Sequence, residues 1–148
     1  MFRRIIFLDI DGVLGHVGSN ERLDPKCIEQ LDWLIEATGA EVILTSSWRD
    51  TFGLEETQRR LAAAGFRGRL AGAAPCMPSG TRSDEIDAFL ADVREPARFV
   101  ILDDVPVAEH LMPNLVLVDD FVGLTSDDEA LALRLFLCLA ELPFPHQP

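Results

Sequence analysis

Positive charge is scarce in this chain. Thirteen basic residues face 25 acidic ones, giving a formal net charge of −12 over 148 residues. Such a balance argues against broad electrostatic capture of nucleic acid or of an anionic membrane, although it leaves room for a local cationic groove. Lysine is scarcest, with Lys26 the only one. Cysteine is limited to Cys27, Cys76 and Cys138, an odd number without C-x-x-C spacing. That pattern argues against a disulfide framework and a zinc site, and it suits a reducing cytosol. Long apolar runs are missing as well: none reaches the 18 residues of a membrane span, and Asp9 cuts short the run that follows Arg3 and Arg4. A cytoplasmic protein without membrane association is expected. Repeats and low-complexity tracts are lacking too, and 48% hydrophobic with 26% charged residues is a globular composition. The length suits one domain, expected over 1–142, with 143–148 as a terminal tail.

What is present is alternation. Four short apolar runs, RIIFLD (4–9), EVILT (41–45), ARFVILD (97–103) and NLVLVD (114–119), have the branched, unbroken character of strands buried on both faces. A fifth strand is expected near 69–73. Helical periodicity fills the intervals. Asp24 and Pro25 open a helix that Gly39 closes, and a second helix covers Leu54 to Ala64. A third begins at Ser83 or Asp84 and ends before Pro96, and Ser126 with Glu129 reads as a capping box for the last. Strands alternating with helices predict an α/β fold: a three-layer, Rossmann-like parallel sheet of about five strands with helices on both faces. The final helix, LALRLFLCLAEL, is apolar nearly all round, so it is either clamped in the core or shared with a second subunit in an oligomer.

Ligands in such sheets sit outside the carboxyl ends of the strands. Three strands here finish there in polar groups: Asp9 with Asp11 close behind, Thr45 with Ser46, and Asp103 with Asp104. Four carboxylates gathered at one low-dielectric edge demand a neutralising cation. A hard divalent ion bound by oxygen is the natural answer, and Mg²⁺ tolerates a few carboxylates while keeping its waters.

These segments, D-I-D-G from Asp9 to Gly12, ILTSS at 43–47, Arg82 near a helix start and ILDD at 101–104, resemble the haloacid dehalogenase (HAD) superfamily in order and spacing. Through FLDIDGVL, TSSWR, RSDEI, VILDD and GLT the chain looks similar to the HAD domains associated with Swiss Army Knife RNA repair proteins. The resemblance implies a phosphatase in which Asp9 attacks phosphorus and becomes an aspartyl-phosphate, while Asp11 serves as general acid and then as base. It further implies that Thr45 donates to a phosphate oxygen and that Arg82 stands in for the commoner family lysine, gripping the phosphate or the nucleophile. The metal would be held by Asp9, the backbone carbonyl of Asp11 and Asp104, with Asp103 in support. Gly12 lets the chain turn over the site, and 13–22 would form a small flap.

Each residue also has a plainer role open to it. Arg82 suits a surface charge, and Ser46 or a neighbour suits a helix cap. Trp48 and Arg49 read either as a base-stacking platform beside a phosphate contact, or as core packing with a structural ion pair. Only 33 residues separate Asp11 from Thr45, too few for a cap domain. An open site of this kind suits a large or extended phosphorylated substrate, with RNA or DNA ends favoured through the resemblance. The alternatives are a phosphatase for nucleotides or other small phosphate esters, and a binding module that holds metal and phosphate without turnover.

Overall fold

The computed structural model describes residues 2–15 and 23–141, the last four of these by their backbone alone. Five parallel strands form one sheet: β1 (Arg3–Leu8), β2 (Glu41–Leu44), β3 (Leu70–Ala73), β4 (Ala97–Asp103) and β5 (Leu115–Leu117). Their order is β3-β2-β1-β4-β5, so the chain leaves β1 first toward one edge and later toward the other. In sheets of this kind ligands bind where that direction reverses, here beyond the carboxyl ends of β1 and its neighbours.

Side-chain alternation along the strands splits the core in two. Ile6 and Leu8 of β1 face one side, where they meet Ile28, Leu31 and Leu34 of helix α1 (Pro25–Thr38), Leu61 and the C-terminal helix. Ile5 and Phe7 face the other, against Ile86, Phe89 and Leu90. Both faces are therefore covered, as unbroken apolar strands require. The remaining helices are α2 (Trp48–Thr51), α3 (Gly53–Ala63), α4 (Arg82–Ala91) and α5 (Ser126–Glu141). No cap domain appears among the described residues.

Element ends depart from expectation in informative ways. Helix α1 begins as anticipated, with the Asp24 side chain accepting from the Lys26 N–H at 2.9 Å. Helix α4 starts at Arg82, earlier than Ser83 or Asp84, because Thr81 caps it: its hydroxyl accepts from Asp84 N while the Asp84 carboxylate accepts from Thr81 N. The box expected at Ser126 and Glu129 is likewise one residue off, formed instead by Thr125 and Asp128. The second helix begins at Gly53, after the separate turn of α2. Strand β5 is only three residues long, since Asn114 ends a 3₁₀ turn over Glu109–Asn114 and gives its side-chain amide to the Phe99 carbonyl.

Ala132 and Phe136 of α5 are buried in the core while Leu137 is 67% exposed, so one stripe of this helix is clamped against the domain. Of the anticipated flap, residues 16–22 lie outside the described residues, as does the terminal tail.

Candidate active site

Parallel register assembles the site. Leu8 pairs with Leu44 on one side and with Leu102 on the other, so the next residues of the three strands, Asp9, Thr45 and Asp103, meet at one rim. The ladder continues just past the strand ends: Asp9 N–H donates to the Leu102 carbonyl at 3.1 Å and Thr45 N–H to the Leu8 carbonyl at 2.9 Å. Backbone pairing thus fixes where these side chains start.

Carboxylate oxygens of Asp9, Asp103 and Asp104 lie within 4.8 Å of one another. Asp9 is 6% exposed and Asp103 fully buried. Arg82, at the start of α4, reaches in from the side, with its guanidinium 2.5 Å from Asp103 Oδ2 and 3.5 Å from Asp9 Oδ1. Among the described residues, one cation against three acids leaves the cluster short of positive charge. The Asp9 carboxyl is accordingly pushed up to about 8, first by burial and then by the neighbouring charge of Asp103, with Arg82 opposing. Burial also raises Asp103 against the pull of Arg82. The arginine itself is held above its usual range, since the charges of Asp9 and Asp103 outweigh its own desolvation.

The two members of the acidic pair differ. Asp103 has both oxygens engaged by the chain, Oδ2 by Arg82 and Oδ1 by the Val105 N–H at 3.2 Å. Asp104 instead lies against Gly12. A Cβ built on that glycine would collide with Asp104 Oδ2, and φ there is +80°. Glycine is what lets the backbone pass so close in the left-handed region.

Thr45 is fully buried, and its hydroxyl has no hydrogen-bond partner among the described residues. An unpaired hydroxyl in a dry setting costs roughly 1–3 kcal/mol, which marks it as a group waiting for an external oxygen. Ser46 is also fully buried, but its hydroxyl is turned inward and accepts the Trp48 N–H at 3.1 Å. Trp48 does not offer an open stacking face; it is 4% exposed and packs edge-on against Phe52 with ring centroids 5.2 Å apart. Its indole N–H points at the Asp11 carboxylate, 3.2 Å from Oδ1 and 3.3 Å from Oδ2. Asp11 is exposed, and its carboxylate stands outside the three-carboxylate cluster. Arg49 is turned away from the rim into a buried ion pair, 2.6 Å from Glu85 Oε1, and its other terminal nitrogen donates to the Ala74 carbonyl.

The structure therefore brings together Asp9, Thr45, Arg82, Asp103, Asp104 and Gly12, sets Asp11 beside them on Trp48, and turns Ser46 and Arg49 inward. Glu85 escaped the reading of the sequence, where it is one more acid on a helix; its partnership with Arg49, 36 residues away, has no local signature. Chemically, the cluster suits a hard divalent cation: it has oxygen ligands and excess negative charge, and a cation would favour the ionised form of Asp9.

The family described as "HAD domain in Swiss Army Knife RNA repair proteins" matches the chain over residues 5–129. That span runs from β1 into the first turn of α5 and includes every residue of the site. No curated protein matches the chain.

Proposed function

The chain belongs to this family of HAD domains, and from that premise we propose that it is a Mg²⁺-dependent phosphohydrolase working through Asp9 on the terminal phosphate of an extended substrate, a nucleic-acid end foremost. The observation that carries the reading is the Asp9–Asp103–Asp104 cluster at the carboxyl rim of the sheet, with Asp9 and Asp103 buried, partly neutralised by Arg82 and flanked by the Thr45 hydroxyl, which has no partner among the described residues.

Asp9, Asp104 and the Asp11 backbone carbonyl would hold the ion, with Asp103 in support. When bound, the ion neutralises the phosphoryl oxygens and keeps Asp9 ionised. The chain's own groups do the rest. A carboxylate oxygen of Asp9 forms a bond to phosphorus as the ester P–O bond breaks, and the electron pair leaves with the ester oxygen. Asp11 gives its proton to that oxygen, releasing an alcohol. The resulting Asp11 carboxylate then takes a proton from water as the water oxygen attacks the phosphorus of the aspartyl-phosphate. Inorganic phosphate departs, Asp9 is regenerated and Asp11 is again protonated. Thr45 and Arg82 meet the equatorial oxygens, whose charge must be stabilised in the transition state. The family's RNA repair setting, and a rim with no cap domain among the described residues, favour a substrate too large to be enclosed.

The test is phosphate release from a panel running from a chromogenic aryl phosphate to 5′- and 3′-phosphorylated oligonucleotides, with Mg²⁺ or with chelator. Release that needs Mg²⁺ and is fastest on an oligonucleotide end is expected. Equal release in chelator would refute the metal, and a preference for mononucleotides would replace the extended substrate with a small ester.

A further inference from the structure

Resting on this assignment of Asp11 as the acid, we propose that Trp48 is a positioning residue that aims the Asp11 proton at the leaving oxygen, so that the indole N–H governs how well the enzyme cleaves esters of poor leaving groups. Asp11 sits on a turn and is exposed, and a carboxylate there rotates broadly about its last torsion unless something holds it. Trp48 holds it, with both oxygens within 3.3 Å of one nitrogen.

The holder is itself rigid. Its ring is packed on Phe52, its backbone N–H is bonded to Ser46 Oγ, and it opens α2 immediately after the strand end that carries Thr45. Trp48 as a whole is 4% exposed, its ring cannot turn to follow a new partner, and its N–H gains from keeping this one, so rotation of Asp11 away from it is resisted.

The chemistry of the donor gives the tether a direction. An indole N–H has no lone pair and only donates. Whichever Asp11 oxygen carries the proton, its O–H cannot point at Trp48 and must be presented elsewhere. In the second step the same N–H occupies only part of the carboxylate's acceptor capacity, and the remaining lone pairs can take the proton of the attacking water. Trp48 touches neither phosphate nor metal in this scheme and acts only through Asp11.

The experiment compares wild type, Trp48→Phe, Asp11→Asn and the double variant with Mg²⁺ on aryl phosphates of graded leaving-group acidity and on an alkyl phosphate end. Trp48→Phe is expected to lower kcat about 10-fold on the alkyl ester, a fraction of the roughly 10²–10⁴-fold that a general acid contributes, while moving the most activated aryl ester less than about 2-fold and leaving KM in place. In the Asp11→Asn background the same change is expected to add nothing. Equal losses on all esters, or a loss that persists without the Asp11 acid, would show a structural role and overturn the inference. Should Trp48→Phe unsettle the fold, replacing Trp48 by benzothienylalanine removes the N–H and keeps the ring, with the same two outcomes. A wild type inert on every ester would instead sink the phosphohydrolase reading itself and the inference with it.

Discussion

Replacing Asp9, the proposed nucleophile, should abolish catalysis and stabilise the metal-free protein, because its carboxyl is held against its own electrostatic comfort. In the folded protein its carboxyl titrates at about 8, whereas an unfolded aspartate titrates at about 3.9. A carboxyl raised by folding contributes fully below the unfolded value, and that contribution is lost as pH climbs from about 4 to about 8. At pH 7 the difference is about three pH units, or about 4 kcal/mol, as a ceiling. Asp9→Asn removes the penalty but also one of the two carboxylates that attract Arg82, so a net gain of about 1–3 kcal/mol is expected. For a domain of this size that is a rise in Tm of roughly 3–10 °C. Thermal unfolding in chelator at pH 5 and pH 8 reads it directly: the variant should melt higher, and the gap should widen at the upper pH. Saturating Mg²⁺ should reverse the order, since the ion favours the charged form. A variant that melts lower than wild type in chelator at pH 8, or a gap indifferent to pH, would refute the electrostatic reasoning.

Two further substitutions separate structure from chemistry. Thr45→Val removes a hydroxyl without a partner among the described residues, so denaturant midpoints should hold or rise slightly while kcat falls about 100-fold, the loss typical of one transition-state donor. Arg49→Ala should do the opposite first, unfolding the protein by about 3–5 kcal/mol in chemical denaturation because Glu85 is left charged and buried. An exposed, screened pair would lose less than about 1 kcal/mol, and that result would show Arg49–Glu85 to be incidental.

How much of this was legible beforehand depended on how local each signal was. Four strands announced themselves because each is buried on both faces and must be apolar throughout. The strand LAGA (70–73) was faint since its small side chains bury little, and the 3₁₀ turn before β5 had no periodicity to betray it. Both misplaced caps arose where threonine and serine compete within two residues, so the pattern fits two registers and only the backbone chooses. At the site, Asp9, Thr45, Asp103 and Asp104 were readable because a parallel sheet delivers strand ends to one edge without further information. Trp48 was visible as a candidate but not in its contact: its partner Asp11 lies 37 residues away, and nothing in the sequence chooses between stacking on a base and reaching back to a carboxylate.

The Arg49–Glu85 pair has a bearing on precision rather than on stability alone. Arg49 stands four residues beyond Thr45, and Glu85 stands one helical turn beyond Arg82, with its second oxygen taking the Met77 N–H at 2.9 Å. The pair is thus a crossbar between the two supports that carry the Thr45 hydroxyl and the Arg82 guanidinium, the proposed grips on one phosphoryl group. A lineage could exchange either gripping residue and keep its aim, but loosening the crossbar would let the two grips drift apart while every reacting atom stayed in place.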